Sequence, residues 1–202
     1  MAELKFTKQE LRGQQVRLSQ LERYLPTLRL RKAILQAEVV TARTVLETVI
    51  TEYERQSSHL RQSAKLVGLL PHIPLEEAWK VERVEEEKEN IAGVELPVLK
   101  AIIFAPTTYD LYDTPPWLDS FVEEVRALKA TNRKRKVAEQ CMAILSSELR
   151  QVSIRVNLFE KVLIPQCIRN MKAIRIFLGD LQLAAVAQAK MAKVKILARQ
   201  AV

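Results

Sequence analysis

The chain has 202 residues, and its 32 lysines and arginines outnumber its 24 aspartates and glutamates, which gives a formal net charge of +8. Hydrophobic residues make up 48% and charged residues 28%, too apolar for a disordered chain and too charged for a protein with many membrane spans. Because there are only four glycines, we expect neither a glycine-rich phosphate-binding loop nor a fold with many tight turns.

The first region, residues 1–68, is predicted to form one long coiled-coil helix. Seam positions recur there at alternating spacings of three and four, the heptad pattern of a helix that packs along another helix. The seam consists of Leu4, Leu11, Gln14, Leu18, Leu21, Leu25, Leu28, Lys32, Leu35, Val39, Ala42, Leu46, Val49, Tyr53, Gln56 and Leu60. Pro26 removes one backbone hydrogen bond from this helix, so we expect a bend there.

The second region, residues 69–116, is predicted to form a small mixed head, because six of the eight prolines lie between residues 71 and 116. Residues 74–80 are typical of a short helix with proline in its first turn. Residues 81–91 and 94–104 are predicted to pair as a β-hairpin that turns at Ala92 and Gly93.

The third region, residues 117–202, is predicted to form a second coiled-coil helix. We expect Asp113 or Thr114 to cap it and Pro115 or Pro116 to lie in its first turn. Its seam consists of Leu118, Phe121, Val125, Leu128, Met142, Leu145, Leu149, Val152, Val156, Phe159, Leu163, Cys167, Met171, Ile174, Leu178, Leu181 and Ala185. A strict heptad count places polar residues on the seam across residues 132–136, so we expect local unwinding or an opened face there. Pro165 is expected to bend this helix as Pro26 bends the first.

The predicted fold is mainly α: a long antiparallel two-helix coiled-coil hairpin with a small mixed head that contains a short helix and a β-hairpin. At 1.5 Å per residue the two helices extend about 90 Å and about 120 Å, too long to be buried inside a chain of this size. Each helix therefore buries its seam against the other.

The residues that carry enzyme chemistry are scarce. His59 and His72 form no metal motif and are expected to be structural or solvated. Cys141 and Cys167 lie 26 residues apart on one predicted helix, about 39 Å, so we expect two free thiols in a reducing compartment. The acidic run at residues 85–89 is expected to protect a strand edge, because consecutive strand residues point to opposite faces and do not converge on a metal ion. We predict no catalytic, cofactor-binding or metal site.

Two basic clusters favour an alternative, a basic helical-hairpin module that binds nucleic acid or serves as a scaffold. They are Arg133 to Lys136, and Lys190, Lys193, Lys195 and Arg199 in the last helix. Such clusters can neutralise phosphates. However, no aromatic residues that would stack on bases are interleaved with them. Basic residues near a helix C-terminus also complement the helix dipole, and a basic helix can dock on an acidic protein.

The longest uncharged stretch, residues 66–75, contains two prolines and is far shorter than the ~20 residues that span a bilayer. The first residues lack the apolar core of a signal peptide, so we expect a cytoplasmic protein.

Three blocks resemble the D subunit of the vacuolar and archaeal-type rotary ATPases, the central-stalk component. Residues 28–35, LRLRKAIL, resemble the family's LLKxKRDAL stretch. Residues 90–99, NIAGVELPVL, are similar to its N-x-x-G/S-x-x-V-P-x-L hairpin. Residues 155–165, RVNLFEKVLIP, are the most specific block and resemble RRVNALExVxIP. The motif positions in that block are Arg155, Val156, Asn157, Glu160, Ile164 and Pro165.

This resemblance implies a rotor shaft that carries no nucleotide and no cofactor. The paired helix ends would enter the bore of the catalytic hexamer of A and B subunits. The lower part would bind the F subunit and sit on the funnel-like component above the membrane ring, which is called C, or d in eukaryotes. The chain would be peripheral to the membrane, would not insert into it, and would bind no nucleic acid.

Two surfaces are the candidate partner sites that this resemblance implies. The hexamer-bore surface is predicted at Leu181, Ala184, Ala185, Ala187, Lys190, Lys193 and Lys195, where small apolar side chains suit a bearing. The surface for the F subunit or the lower stalk is predicted at Ile91, Gly93, Val94, Leu96, Arg133 and Arg135. Electrostatic contact with the hexamer is expected at one of the two basic clusters.

Overall fold

The computed structural model describes residues 4–67, 75–106 and 115–200. The side chains of residues 66–67, 75–76 and 198–200 lie outside this description. So do His72 and the two expected caps, Asp113 and Thr114.

The order of elements is helix, short helix, hairpin and a long helical run. Helix α1 spans Lys8–Val67, α2 spans Leu75–Ala78, and strands β1 and β2 span Val81–Ile91 and Val94–Phe104. Helix α3 spans Leu118–Leu158, a π-helical turn covers Phe159–Leu163, and α4 spans Ile164–Gln200. The predicted fold class, with its two long helices, short helix and β-hairpin, is confirmed. Within the described ranges, we find no helix both long and apolar enough to span a membrane.

Helix α1 begins because Thr7 caps it: its hydroxyl oxygen accepts a hydrogen bond from the Glu10 backbone N–H at 3.2 Å. Pro26 lies inside the helix, which continues through it. Every predicted seam residue from Leu4 to Leu60 is buried or half-buried, so the heptad pattern identified the packed side of this helix correctly.

The chain divides into two compact units. One unit contains the chain up to Arg31 and the chain from Val152 onward, and the other contains Lys32–Gln151. In the first unit the Phe6 ring meets the Phe177 ring, with centroids 5.0 Å apart, and Arg29 pairs with Glu160. The later residue of α1, Arg29, contacts the earlier residue of its partner, Glu160, so the helices of this unit are antiparallel.

The second unit contains an antiparallel helix pair and the head. The Arg135 guanidinium lies 5.0 Å from the centroid of the Tyr53 ring, and His59 Nδ1 lies 3.3 Å from Glu124 Oε2. Strands β1 and β2 pair antiparallel from Val81 opposite Phe104 to Ile91 opposite Val94, with register shifts near residues 82 and 85–86.

The hairpin turn has two central residues with positive φ, Ala92 at 53° and Gly93 at 78°, as a type I′ turn requires. The Asn90 side-chain oxygen accepts a hydrogen bond from the Gly93 N–H at 2.9 Å and supports the turn. The predicted strand bounds and turn are confirmed.

Helix α3 begins at Leu118, two residues after the prolines that were expected in its first turn. The Leu118 N–H donates to the Pro115 carbonyl at 3.0 Å, so these prolines form the turn that leads into the helix. The unwinding expected at residues 132–136 does not occur, since α3 is continuous there. Polar residues do lie on its packed side, and one of them, Arg135, places its guanidinium over the Tyr53 ring.

Helical geometry changes instead at residues 159–163, in the π-turn. The Ile164 N–H donates to the carbonyl of Phe159, five residues earlier, immediately before Pro165. Proline has no N–H and its ring crowds the carbonyl four residues before it, so a wider turn relieves the crowding. The extra residue also moves the seam by one position: buried residues recur at Val152 and Val156 before the turn, and at Cys167, Met171 and Ile174 after it.

Candidate functional site

The described residues hold no group of three or more histidine, cysteine, aspartate or glutamate side chains that could bind a metal ion. Cys141 and Cys167 are free thiols, the first half-buried and the second buried. Burial raises the pKa of the Cys141 thiol, and its S–H donates to the Pro97 carbonyl at 3.1 Å. A thiol held protonated in this way is a poor nucleophile.

The last part of α4, residues 181–197, is here called the tail. Every side chain in it is exposed, including Leu183 at 70% and Val194 at 62%. The expected seam positions Leu181 and Ala185 are therefore not packed. The reason lies in the partner helix: Phe6, just before α1 begins, already meets Phe177, so α4 continues beyond the start of its partner.

The predicted hexamer-bore residues all fall on this exposed tail: Leu181, Ala184, Ala185, Ala187, Lys190, Lys193 and Lys195. Apolar side chains of the tail point in all directions around the helix, and none of them is covered by the described part of the chain. Exposed apolar surface of this extent is typical of an interaction site. The side chain of Arg199 lies outside the described residues.

The basic cluster at residues 133–136 does not form one patch. Arg133 pairs with Glu86 of β1, and Arg135 lies over Tyr53, so both are engaged inside the unit. Lys134 and Lys136 are the exposed members. Half of the cluster thus contacts the head or α1 within its own unit, which weakens its interpretation as a phosphate-binding site.

The predicted lower-stalk residues are divided between surface and interior. Val94 and Leu96 are buried, Ile91 is half-buried and Gly93 is exposed at the turn. Ile91 and Leu96 also line a groove between the hairpin, α1 and α3. The two remaining residues, Arg133 and Arg135, form the internal contacts described above.

The family-motif residues surround the π-turn. Val156 is buried on the seam, Arg155 and Asn157 are exposed, and Glu160 accepts a hydrogen bond from Arg29 Nε at 2.6 Å. Ile164 and Pro165 directly follow the turn. Sequence reasoning noted the proline but missed the π-turn, although three successive spacings of four, from Phe159 to Met171, already indicated one extra residue.

Arg126 was also missed, although it joins the head to α3. Its guanidinium donates to the Ala78 carbonyl at 2.9 and 2.6 Å and to the Ala105 carbonyl at 2.8 Å, and it lies 5.6 Å from the Phe104 ring centroid. Lys129 donates to the Trp79 carbonyl at 3.0 Å. These donors satisfy carbonyls at the end of α2 and just after β2, and no local sequence signal indicates such long-range partners.

The aromatic core of the head lies beside Arg126. Ala78, Leu118 and Val122 are buried together, and Trp79 and Trp117 pack against them. Both tryptophan rings also meet the Phe121 ring edge-on, at centroid distances of 6.2 and 6.4 Å. The start of α3 and the end of α2 are thus fixed to one another by side-chain packing.

Known proteins resemble this chain over almost its whole length. Residues 10–194 match the sequence model of the family described as the D subunit of ATP synthase. The V-type ATP synthase D subunit of Chlamydia abortus is 43% identical over 200 residues, which cover 98% of this chain and 96% of the relative. The protein of the same name from Chlamydia trachomatis serovar L2 is 42% identical, covering 96% and 97%, and that of Chlamydia pneumoniae is 38% identical, covering 98% and 96%. The resemblance seen in the three sequence blocks is thereby confirmed: the chain belongs to the family of ATP synthase D subunits.

Proposed function

We propose that this chain is the rotor shaft of a V-type rotary ATPase or ATP synthase, where it transmits torque between an ion-translocating membrane ring and a catalytic hexamer of A and B subunits. It is a non-catalytic component of the stalk. The observation that carries the proposal is the contrast within α4, which packs its seam as far as Leu178 and then presents an entirely exposed tail. Such a tail suits insertion into a bore formed by other subunits.

The paired helices suit torque transmission. Each buries a nearly continuous seam, so twisting one helix against the other disrupts packed side chains, which resist deformation. Arg126 and the aromatic core fix the head to α3, so load applied at the head reaches the helix through hydrogen bonds and packing.

The remaining assignments follow from the same proposal. The hairpin end and the adjoining helices are assigned to the F subunit or the lower stalk, which rests on the funnel-like component. The protein would work in the cytoplasm, peripheral to the membrane. No nucleic-acid role is proposed, since half of the cluster at residues 133–136 is engaged within its own unit.

The test is affinity purification of the tagged full chain from its native cells in mild detergent, with the bound proteins identified by mass spectrometry. We expect stoichiometric A, B and F subunits. Recovery of nucleic acid or ribosomal proteins without ATPase subunits would contradict the proposal.

The tail is then tested separately in the assembled complex. We expect glutamate substitutions at Ala184, Ala185 and Ala187 to lower coupled ATPase activity, because charged side chains would face the bore. Glutamates at three other exposed alanines, Ala33, Ala37 and Ala143, form the matched control. Unchanged coupled activity in the tail variant would refute the bearing role.

A further inference from the structure

A groove of about 470 Å³ opens in the unit formed by Lys32–Gln151. It lies between α1, the turn end of the hairpin, and α3. Its two helical walls present residues at the same spacing of four, three and four. They are Glu38, Ala42, Val45 and Val49 on α1, and Lys134, Ala138, Cys141 and Leu145 on α3. The walls therefore extend side by side for about 16 Å, or about three helical turns.

The interior of the groove is apolar, and the two uncharged polar side chains of its lining, Thr41 and Cys141, are already engaged. The Cys141 S–H donates to the Pro97 carbonyl, and the Thr41 hydroxyl donates to the Ala37 carbonyl at 3.2 Å. Small-molecule sites usually offer a few free polar groups that orient the ligand. This lining offers an apolar surface instead, with Val45 and Val98 exposed at 48% and 40%.

The charges at the rim indicate what the occupant carries. Three carboxylates of β1 are paired: Glu85 with Arg83, Glu86 with Arg133 and Glu87 with Lys100. By contrast, the rim carboxylates Glu38 of α1 and Glu89 of β1 have no ion-pair partner among the described residues. Lys134 is the one cationic residue of the groove lining, and because α1 and α3 are antiparallel it lies at the opposite end of the helical walls from Glu38. The rim thus has a net negative charge that a basic partner would complement.

We propose that this groove binds an amphipathic helix of about three turns from another subunit of the complex, with its apolar face in the groove and lysine or arginine beside Glu38 and Glu89. This inference rests on the proposed function and adds the chemistry of one partner segment. Helix-in-groove binding uses anchors three and four residues apart, the spacing that both walls present.

The first test compares two exposed valines on α1. Val45→Cys places a thiol at the groove and Val40→Cys places one outside its lining. Alkylation of each variant is followed by peptide mass spectrometry in the isolated chain and in the purified complex. We expect labelling at residue 45 to slow about tenfold or more in the complex, because a packed interface excludes the reagent, and labelling at residue 40 to change by less than about twofold. Equal rates at residue 45 in the two states, or equal protection at both positions, would overturn the proposal.

The second test identifies the occupant. A photo-crosslinking amino acid at residue 45 of the assembled complex is expected to yield a peptide from a helix of another subunit with apolar and basic residues. A crosslink to a second copy of this chain, or to an acidic or extended segment, would overturn the proposal. Recovery of the ATPase subunits with an unprotected groove would refute this inference alone, whereas failure to recover those subunits would refute the proposed function.

The third test addresses charge. Glu89→Lys is expected to lower the affinity for the crosslinked partner about tenfold at constant salt concentration, because it reverses the charge of one rim carboxylate. Glu82→Lys, on the same strand but outside the groove lining, is expected to leave binding unchanged. Equal loss in both variants would overturn the proposal, since the general charge of the hairpin, and not the groove, would then attract the partner.

Discussion

The head and the tail differ in how far their own unit covers their side chains. The head is fixed by its own chain, through three hydrogen bonds from Arg126 and a buried cluster around Leu118. The tail has exposed side chains throughout, although it is rich in leucine, valine and alanine. Apolar composition therefore does not reveal burial here, because burial depends on whether a partner helix is present beside each turn.

The largest expected effect on stability lies in the head core. Leu118→Ala removes a fully buried side chain and should lower the free energy of unfolding by about 3 kcal/mol. The matched control in the tail, Leu183→Ala, should change it by less than about 0.5 kcal/mol, because that side chain is 70% exposed. Urea unfolding followed by circular dichroism measures both. Equal losses of unfolding free energy in the two variants would contradict the difference between a buried head and an exposed tail.

The next effect concerns the link between the head and α3. Arg126→Met keeps much of the side-chain length but removes hydrogen bonds to the carbonyls of Ala78 and Ala105, at a cost of about 2 kcal/mol. Amides of the hairpin should then exchange hydrogen faster, while those of α4 remain unchanged. Arg150→Met, at an exposed position of α3, is the control. Unchanged hairpin exchange would show that packing alone fixes the head.

A smaller effect, of opposite sign, is expected at the hairpin turn. Ala92 has φ of 53°, which glycine adopts without the steric penalty of a Cβ atom. Ala92→Gly should therefore stabilise the head by about 0.5 kcal/mol after the entropy cost of glycine is included. Thermal unfolding tests this, with Ala101→Gly on β2 as a control that should destabilise. Destabilisation by both would argue against the left-handed turn.

The smallest effect is a pH dependence on α1. Hydrogen bonds from Arg55 hold the pKa of Glu52 below its usual value of 4.5. Because the folded-state pKa is the lower one, the stabilisation is present above pH 4.5 and is lost as the pH falls through the folded-state pKa. The difference in melting temperature between the wild type and Glu52→Gln should be small at pH 7 and vanish in acid. A difference that persists at low pH would contradict this assignment.

The heptad pattern predicted the packed side of α1 because that side is defined by residues close in sequence. The strand bounds and the turn at Gly93 were equally local and were predicted correctly. The π-turn was missed because the three successive spacings of four that mark its extra residue were read as part of an ordinary heptad pattern. The packed seam was predicted to continue to Leu181 and Ala185, but it ends at Leu178. The sequence of α4 does not show where the neighbouring helix α1 begins, so it could not show where packing ends.

The candidate surfaces divide in the same way. The tail could be recognised from composition, whereas the groove could not, because its walls come from residues about 100 positions apart and only the fold brings them together. Arg133 and Arg135 look like a surface cluster in sequence, yet their partners, Glu86 and Tyr53, lie on other elements.

The central claim is that the tail is ordered by a partner and not by its own chain. Hydrogen exchange of α4, measured in the isolated chain and in the assembled complex, tests it most directly. We expect amides 181–197 to exchange much faster than amides 167–178 in the isolated chain, and to become protected in the complex. Equal protection of both stretches in the isolated chain, or a tail that stays unprotected in the complex, would contradict the account.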